Sequence, residues 1–395
     1  MGIKVAHVIQ SISPIVGGPP NVVLHLAAAQ ASLGAEVKIV TYADSRNECW
    51  WSSWGKINPR LCQVKLQEIR RSAIPSRSEM RAVRGLYESV DIMHIHGIWV
   101  SLGCYALLGR RRGGAAALLA AHGTLSPWAL SQRSLKKKLA MRAGLRGLIS
   151  LADAFHAVSI GERNEIKAAV STARTVIIPN GVDMGELSSR SSGEMEAEVA
   201  NQRAAGYVLF LARLHEVKGA DLLVEAFALL LKNSTECSSY KLILAGPDYG
   251  EEGSLRAQAK RLCIDHKIEF PGAVFGDVKR DLFQNAALVC QPSRYEAFSL
   301  TLLEALAAGV PVLTTFGSNF PEIATAEAGI VCGRTPEELA RNMQLLLTRP
   351  ALRVQMGNQG RDLVQRKYTW ECIAAHSLEI YADIQTGGGI ADQDY

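Results

Sequence analysis

The chain of 395 residues is 48% hydrophobic and 21% charged, which is ordinary usage for globular proteins. This composition excludes a largely disordered chain, a collagen-like chain and a small disulfide scaffold. No stretch approaches the ~20 apolar residues that span a bilayer, and the chain begins on a strand pattern without a signal-peptide layout. The eight cysteines form no Cys-x-x-Cys pair, so we expect reduced core thiols, a cytoplasmic protein and no zinc site.

The net charge of +5 is unevenly distributed along the chain. Residues 1–185 hold 23 Lys/Arg against 11 Asp/Glu, a balance of +12, whereas residues 186–395 hold 20 against 27, a balance of −7. An anionic partner of the first half would explain this asymmetry. Basic helix faces that are simply solvated would explain it equally well.

Short apolar runs alternate with amphipathic helical patterns in the first half. The predicted strands there are residues 4–9, 37–41, 92–96, 116–121, 154–158 and 175–178. The predicted helices include residues 21–33, 134–148 and 162–170. A polar stretch without an apolar stripe, residues 188–203, then follows a Pro-Asn-Gly turn signal.

The second half repeats this scheme. Its predicted strands are residues 207–212, 241–245, 267–270, 287–291, 312–315 and 329–331, and its helices include residues 220–231, 300–308 and 337–347. The alternation predicts an α/β fold of two doubly wound domains, residues 1–187 and 205–368, joined by a linker at 188–204. Ligands of such sheets bind beyond the carboxyl ends of the strands, which we expect to face a cleft between the domains.

The loop after the first predicted strand contains Gly17 and Gly18 and precedes a helix. Two glycines let the backbone approach a ligand closely, and the helix N-terminus behind them favours an anion. A plain tight turn is the alternative, and the chain lacks the Gly-x-Gly-x-x-Gly fingerprint of a dinucleotide site.

Two cations, Arg213 and Lys218, follow the first predicted strand of the second half in the segment RLHEVKG. A guanidinium fork and an ammonium group at the start of a helix suit a diphosphate. A solvated basic turn is the alternative.

Two carboxylates, Glu296 and Glu304, come after the strand predicted at 287–291. Glu296 lies in the loop and Glu304 lies about one turn into the next helix, among leucines, so we expect it to be partly buried and paired. The first N–H groups of that helix, near Phe298, Ser299 and Leu300, have no helical acceptor. Carboxylates bind sugar hydroxyls and N–H groups bind phosphate, although a helix-start Glu and a core-edge Glu without a ligand would give the same pattern.

Two histidines, His96 and His122, each precede a glycine after a predicted strand of the first half. Both are expected to point into the cleft, although a single histidine at such a position is usually only a satisfied polar residue. No third ligand at suitable spacing is apparent, so we expect no metal site there. Asp392 and Asp394 match an Asp-x-Asp metal motif, but they lie in a glycine-rich tail rather than after a strand.

In their order and spacing, these segments resemble the retaining glycosyltransferases of the GT-B fold, sequence family 4. The resemblance covers nearly the whole chain and rests on the Gly-Gly loop, HGTLSPWAL, RLHEVKG, AGPD, PGAV and the E-x7-E motif of Glu296 and Glu304. It implies two Rossmann-like domains, with a closing helix at 369–385 that crosses back onto the first domain and a flexible tail at 386–395.

The resemblance also implies roles for the candidate residues. Glu296 would bind hydroxyls of the donor sugar, Glu304 would bind the ribose, and His122 would face the sugar near the bond that breaks. Arg213 and Lys218 would neutralise the departing diphosphate. The remaining implied donor contacts are Gly17, Gly18, Val274, Phe298, Ser299 and Leu300. Many relatives have glycine at the position of Ser299, which leaves the identity of the donor open.

The implied reaction moves a sugar from a UDP- or GDP-sugar to a saccharide acceptor with retention. Negative charge develops on the nucleoside diphosphate, where two cations and a helix N-terminus replace a metal ion. The acceptor hydroxyl would attack from the face of the leaving group, and the departing phosphate would take its proton. We therefore expect no metal, no cofactor and no protein nucleophile.

The acceptor belongs to the first domain in this family, and here that domain carries basic stretches at 110–112 and 133–146. Leucines among the bases of the second stretch suit an anionic membrane surface. The sequence thus predicts a lipid-linked saccharide acceptor, a role in surface polysaccharide or lipopolysaccharide biosynthesis, and a cytoplasmic enzyme peripheral to the plasma membrane. A helix packed by its leucines is the alternative, and no motif indicates nucleic acid.

Two other functions fit this architecture. A non-hydrolysing nucleotide-sugar 2-epimerase would share the two domains and need no acceptor. A catalytically silent sugar-nucleotide-binding protein would have no need of Glu296, Glu304, Arg213 and Lys218 together, so their presence favours the transferase.

Overall fold

The computed structural model describes residues 2–13, 18–70, 77–110, 114–131, 134–187 and 206–386. Contacts divide the chain into unit 1, residues 1–181 with 370–395, and unit 2, residues 182–369. The linker predicted at 188–204, Gly17, and the tail that holds Asp392 and Asp394 lie outside the described residues. Among the helices that are described, none has both the length and the apolar composition to span a bilayer.

Unit 1 is built on a parallel sheet. Its strands are β1 (Lys4–Ile9), β2 (Glu36–Tyr42), β3 (Lys65–Ile69), β4 (Ile92–His96), β5 (Ala116–Ala120), β6 (Ala154–Ala157) and β7 (Thr175–Ile177). They form one 7-stranded sheet in the order β3-β2-β1-β4-β5-β6-β7 with every pair parallel. Sequence analysis missed β3 because this edge strand, KLQEI, is half-exposed and contains no apolar run.

Eight helices of unit 1 precede unit 2 within the described residues. They are α1 (Gly18–Ser32), α2 (Asn47–Ile57), α3 (Arg77–Tyr87), α4 (Ser101–Gly109), α5 (Pro127–Ser131), α6 (Ser134–Ala140), α7 (Arg146–Ile149) and α8 (Ile160–Ala169). The single helix predicted at 134–148 is wrong, because a π-helical turn at Met141–Leu145 separates α6 from α7. Gly144 has φ of 119° in this turn, a conformation that glycine adopts without steric cost.

Unit 2 repeats this architecture. Its strands, numbered β8 to β13 along the chain, form a 6-stranded parallel sheet in the order β10-β9-β8-β11-β12-β13. The strands are β8 (Tyr207–Leu211), β9 (Lys241–Ala245), β10 (Ile268–Gly272), β11 (Ala286–Gln291), β12 (Val312–Thr315) and β13 (Gly329–Cys332). The helices are α9 (Met184–Leu187), α10 (Ala220–Asn233), α11 (Glu252–Arg261), α12 (Gly276–Asn285), α13 (Leu300–Ala307), α14 (Glu322–Thr325), α15 (Pro336–Leu347) and α16 (Pro350–Leu363). The chain then returns to unit 1 through α17 (Trp370–Thr386), which packs against α1.

The two faces of the unit 1 sheet differ in polarity. Because side chains alternate between faces along a strand, Ala6 and Val8 join the apolar core on one face while His7 between them lies on the other. The register places His7 beside His94 of β4, so this second face carries histidines from neighbouring strands. Helices α1 and α17 cover it, since side chains of both helices contact these rings.

The cysteines are all free thiols, but most are not core residues. Cys237, Cys290 and Cys332 are buried, whereas Cys49, Cys62 and Cys263 are exposed. The expectation of core thiols is therefore wrong for the exposed group. Those cysteines lie on the solvent-facing sides of short helical segments and a turn, where apolar neighbours in sequence do not imply burial.

Candidate functional site

The site predicted in the second half forms where the strand order of unit 2 reverses. Strands β8 and β11 are neighbours in the sheet although β9 and β10 separate them in the chain. Open α/β sheets bind ligands beyond the carboxyl ends of the strands at such a reversal. The loop after β8 carries Lys218 and the loop after β11 carries Glu296, so the topology brings together residues that are 78 positions apart.

Lys218 and Glu296 form a largely buried ion pair. Lys218 Nζ lies 2.5 Å from Glu296 Oε1, and the two side chains are 14% and 10% exposed. The same oxygen accepts hydrogen bonds from Gln291 Nε2 at 2.8 Å and Ser293 Oγ at 2.9 Å. Within the described residues, Glu296 Oε2 has no hydrogen-bond partner, so one carboxylate oxygen holds the site together and the other is available to a ligand.

Gly219 allows these two loops to approach each other. It has φ of 74°, and a Cβ atom added there would lie 2.2 Å from the carbonyl oxygen of Pro292. Any other residue would clash with the loop after β11 and would also be strained in this left-handed conformation. The glycine that ends RLHEVKG therefore permits the close approach of the two loops that carry Lys218 and Glu296.

The N-terminus of α13 adds hydrogen-bond donors to the same loop. Ser299 caps the helix, because its Oγ accepts from the N–H of Leu302 at 3.3 Å and donates to Gln291 Oε1 at 2.9 Å. In the described part of the chain, the backbone N–H groups of Phe298, Ser299 and Leu300 have no acceptor. Unpaired N–H groups at the positive end of a helix attract an anion, and the serine side chain acts here as a cap.

Glu304 pairs with a lysine that sequence analysis missed. Its Oε1 lies 2.7 Å from Nζ of Lys279 on α12, and the side chains are 19% and 28% exposed. The expected partial burial of Glu304 and its need of a partner are thus confirmed. No pattern in the sequence links the two residues, because α12 and α13 meet only through the fold of unit 2.

Three other predicted residues of unit 2 lie outside this hydrogen-bonded group. Arg213 is exposed, and its guanidinium carbon stands 5.2 Å from the centre of the Tyr249 ring. Val274 is half-buried in the loop between β10 and α12. The ring of Phe298 packs 4.8 Å from that of Phe320, so the role of its side chain is structural.

Five histidines of unit 1, His7, His94, His96, His122 and His156, form the histidine cluster on one face of the sheet. Each contacts at least one other histidine ring nitrogen at 3.0 Å. His96 was expected to point into the cleft, but it is 3% exposed and lies between His7 and His122. His7 and His156 were missed, although each is a single histidine within a predicted strand, which was a visible signal.

Burial keeps the histidine cluster neutral. It lowers the pKa of His7 and His122 to about 4 and that of His156 to about 3, and it lowers the pKa of His94 and His96 well below the usual value. Nitrogens of His7, His94 and His96 lie within 4.8 Å of one another, a group that sequence spacing did not indicate and that does not include His122. Every nitrogen of these three rings already has a hydrogen-bond partner, and we assign no metal to them.

The turn that carries His122 is strained and is held by a buried carboxyl group. His122 has φ of 50°, in the left-handed region that residues with side chains seldom adopt. Glu162 on α8 accepts the N–H groups of Gly123 and Val158 on its two oxygens. Burial raises the pKa of Glu162 to about 7 despite these bonds, and sequence analysis missed this residue.

The glycine loop and the basic stretches of unit 1 are only partly described. Gly18 is exposed at the first residue of α1. Arg110 forms a bidentate ion pair with Asp153, so it does not contribute the free positive charge that was expected. On α6, Leu135 and Leu139 are 83% and 69% exposed, so these two leucines do not pack the helix onto the sheet. Met141 and Leu145 of the same basic stretch do pack against the core of unit 1, as the alternative expects.

Two family models together match most of the chain. Residues 17–181 match the glycosyl transferase 4-like domain, and residues 194–363 match the glycosyl transferases group 1. An uncharacterized glycosyltransferase of Methanocaldococcus jannaschii is 31% identical over 52% of this chain and 53% of its own length. The phosphatidyl-myo-inositol mannosyltransferase of Mycobacterium leprae is 28% identical over 94% of both chains.

Solved structures share the fold over nearly the whole chain. Anabaena HepE in complex with UDP and glucose has a TM-score of 0.72 at 18% identity and covers 96% of this chain and 99% of its own. WaaG, a glycosyltransferase involved in lipopolysaccharide biosynthesis, has a TM-score of 0.65 at 19% identity, with 97% and 100% covered. At this level of identity the similarity shows the fold, which is GT-B.

Proposed function

Since the chain belongs to the group 1 glycosyltransferases, we propose that it transfers a sugar from a nucleoside diphosphate sugar to a saccharide acceptor with retention of configuration. The observation that supports this most directly is the buried Lys218–Glu296 pair beside three unpaired N–H groups of α13. A sugar linked to a diphosphate needs acceptors for its hydroxyls and donors for its phosphates, and this arrangement supplies both.

The charges of unit 2 suit the departure of a diphosphate. Lys218 donates one hydrogen bond to Glu296 and has two further donors for a phosphate. Arg213 is exposed and able to turn toward a bound anion. Fixed donors aimed at developing negative charge lower the barrier, because they need no reorganisation when the bond breaks. Glu296 Oε2 then accepts from a sugar hydroxyl, and Glu304 accepts from the ribose.

The reaction exchanges one bond at the anomeric carbon for another. The bond from this carbon to the phosphate oxygen breaks, and its electron pair remains on the departing diphosphate. The oxygen of the acceptor bonds to the same face of the sugar, and its proton passes to the departing phosphate. We assign no protein nucleophile, metal or cofactor to this step. His122, Gly17, Gly18 and Val274 stay predicted donor contacts.

Thermal unfolding with and without nucleotides tests the donor site. UDP, GDP, ADP and their glucose and mannose conjugates are compared in the presence of EDTA. A ligand at ~100 times its Kd stabilises the folded protein by ~2.7 kcal/mol. We expect one nucleotide family to stabilise the protein and Lys218→Ala to abolish this effect. Lys241→Ala is the matched control, because Lys241 pairs with Glu269 on the exposed surface of the same unit.

Product analysis separates the alternatives. Stabilisation by a nucleotide followed by an epimerised donor without acceptor would establish the 2-epimerase instead. Binding of a nucleotide without turnover on any saccharide would establish the silent binding protein. If a saccharide is transferred and Glu296→Ala leaves turnover unchanged, the assignment of Glu296 is wrong. If no nucleotide stabilises the protein, the proposed donor site is wrong.

For the location, we propose a peripheral association of unit 1 with the cytoplasmic face of an anionic membrane, where a lipid-linked acceptor for surface polysaccharide would lie. Exposed Leu135 and Leu139 alternate on α6 with exposed Lys136 and Lys138, which is the composition of an interfacial helix. The names of two similar proteins support this proposal, since one mentions phosphatidyl-myo-inositol and the other mentions lipopolysaccharide biosynthesis.

Sedimentation with lipid vesicles tests this association. The protein should sediment with vesicles containing phosphatidylglycerol at low salt, and not with phosphatidylcholine vesicles alone. The double variant Leu135→Ser/Leu139→Ser should remain in the supernatant. Leu262→Ser, at an exposed leucine of unit 2, is the control and should sediment normally. A wild-type protein that stays in the supernatant with anionic vesicles would refute the proposal.

A further inference from the structure

The histidine cluster belongs to a longer chain of hydrogen bonds that runs from Ile178 to His122 through α17 and α1. We call this chain the relay. Its members, in order, are the carbonyl of Ile178, then His156, His94, Tyr381, Gln30, His7, His96 and His122. A neutral imidazole has one N–H donor and one acceptor nitrogen, so fixing the proton at one end fixes it at each ring in turn.

A backbone carbonyl fixes the direction in which hydrogen bonds are donated along the first half of the relay. The oxygen of Ile178 can only accept, so His156 Nε2, 2.6 Å away, carries the proton. His156 Nδ1 is then an acceptor and takes the Nε2–H of His94 at 3.0 Å. His94 Nδ1 in turn accepts the hydroxyl proton of Tyr381 at 2.7 Å. The hydroxyl oxygen of Tyr381 must therefore receive its next hydrogen bond.

The orientation of the Gln30 amide fixes the direction of donation along the second half of the relay. Its Nε2 lies 3.1 Å from the Tyr381 hydroxyl and 2.7 Å from Ser377 Oγ. Ser377 donates its own proton to the carbonyl of Ala374 at 2.7 Å, so both hydroxyl oxygens are acceptors toward Gln30. Only the NH₂ end of the amide can serve two acceptors, which leaves Gln30 Oε1 facing His7.

The second half of the relay follows from that oxygen. Gln30 Oε1 accepts from His7 Nε2 at 2.8 Å, so His7 Nδ1 accepts from His96 Nε2 at 3.0 Å. His96 Nδ1 then accepts from His122 Nε2 at 3.0 Å. His122 therefore holds its proton on Nε2, and its Nδ1 carries a lone pair. That nitrogen has no partner in the portion of the chain that the structure describes.

We propose that the relay positions His122 as the tautomer with an unprotonated Nδ1, so that this nitrogen accepts a hydrogen bond from a hydroxyl group of the ligand. The opposite tautomer would place two lone pairs against each other between His122 and His96. Gln30 is thus a positioning residue, and Ser377 and Tyr381 link α17 to the orientation of its amide. The statement about the ligand rests on the proposed function, whereas the statement about the tautomer does not.

The relay also restricts what can bind at His122. A lone pair on Nδ1 pairs with an O–H or N–H group and repels a phosphate or carboxylate oxygen. Neutral rings are required throughout, and burial supplies this condition by lowering the pKa of every histidine in the relay. A sugar hydroxyl meets the requirement, while the diphosphate of the same donor does not.

Nitrogen NMR of the histidine rings at neutral pH tests the tautomer in the protein without ligand. Uniformly 15N-labelled protein distinguishes protonated from unprotonated ring nitrogens, and the signals of His122 are assigned by their loss in His122→Gln. We expect Nδ1 of His122 among the unprotonated nitrogens. Gln30→Met removes the acceptor of His7 and should move this signal toward the protonated range, because the second half of the relay is then free to reverse.

Tyr381→Phe is the matched control, since Ser377 still orients the amide of Gln30. It should disturb His94 and leave His122 unchanged, whereas a merely structural network predicts equal disturbance in both variants. The double variant Ser377→Ala/Tyr381→Phe frees the amide to rotate and gives a second test if Gln30→Met does not fold. A protonated Nδ1 of His122 in the wild type, or an unchanged signal in both relay-breaking variants, would overturn the proposal.

Adding ligand separates this proposal from the proposed function. UDP-glucose should shift the Nδ1 signal of His122, and UDP alone should not, because it lacks the hydroxyls of the glucose. If UDP-glucose binds and the signal does not move, the assigned acceptor role is wrong. If no nucleotide binds at all, the proposed function fails while the tautomer result of the free protein still stands.

Discussion

Lowering the pH should destabilise unit 1, because its folded state holds histidines neutral that an unfolded chain would protonate. Burial lowers the pKa of His7 and His122 to about 4 and that of His156 to about 3, whereas an unfolded histidine titrates near ~6.5. Below that value the unfolded chain binds more protons than the folded unit. The free energy of unfolding is therefore undiminished above pH ~6.5 and falls as the pH drops toward the folded pKa values.

The size of the effect follows from the separation of the pKa values. At one pH unit below the unfolded pKa, each histidine that stays neutral in the folded state lowers the free energy of unfolding by ~1.4 kcal/mol. His7, His122 and His156 together therefore lower it by ~4 kcal/mol at pH ~5.5. His94 and His96 act in the same direction. Glu162 opposes them, because its pKa is raised to about 7 and its protonation in the folded state adds ~2 kcal/mol over the same interval. The net loss is at least ~2 kcal/mol, a large share of the stability of an ordinary domain.

Tryptophan fluorescence during urea unfolding measures this loss in unit 1 alone, since all 6 tryptophans lie in that unit. The two histidines of unit 2, His215 and His266, are not buried, so the hydrogen exchange of unit 2 peptides, corrected for intrinsic rates, is the internal control. His266→Gln should leave the pH dependence of unit 1 unchanged. A free energy of unfolding that stays constant or rises from about pH 8 to about pH 5.5 would show that the histidine cluster is not neutral.

Two further predictions concern unit 2. Gly219→Ala should lower both the melting temperature and the donor affinity, because its Cβ would lie 2.2 Å from Pro292 O. Gly250→Ala is the control: Gly250 also has positive φ but open space around it, so this variant should lose only the stability that backbone strain costs. Glu304→Gln should raise KM for the donor with little change in kcat, because the proposed contact of Glu304 with the ribose would be equal in the ground and transition states. A fall in kcat at constant KM would contradict the assignment of Glu304 to the ribose. Lys279→Met is the control, because it removes the ion pair and keeps the carboxylate of Glu304.

The strands were predictable because most of them are buried on both faces. Continuous apolar runs such as β11 and β12 have the composition of central parallel strands, and their positions in the structure agree with the prediction to within one or two residues. The edge strand β3 has no such run and was missed. The break between α6 and α7 was also missed, because a single glycine within a helical pattern does not reveal a change in backbone conformation.

The candidate site was predictable where loops follow strands, and unpredictable where elements meet in space. Lys218 and Glu296 were both identified from their loops, but their shared oxygen and their burial depend on β8 lying next to β11. The pairing of Glu304 with Lys279 depends on the packing of α12 near α13, which leaves no trace in sequence spacing.

The fold class, the repeat of two α/β units and the loops at the strand ends could be identified from the sequence, because periodicity and turn residues act locally. The pairs of polar groups that share a proton or a charge depend on how distant segments pack together. Gln30 and His122 are far apart in the chain, yet the amide of Gln30 acts on the proposed tautomer of His122 through His7 and His96, on elements that meet at one face of a sheet. A proton position depends on partners within about 3 Å, and such proximity is a property of the folded chain.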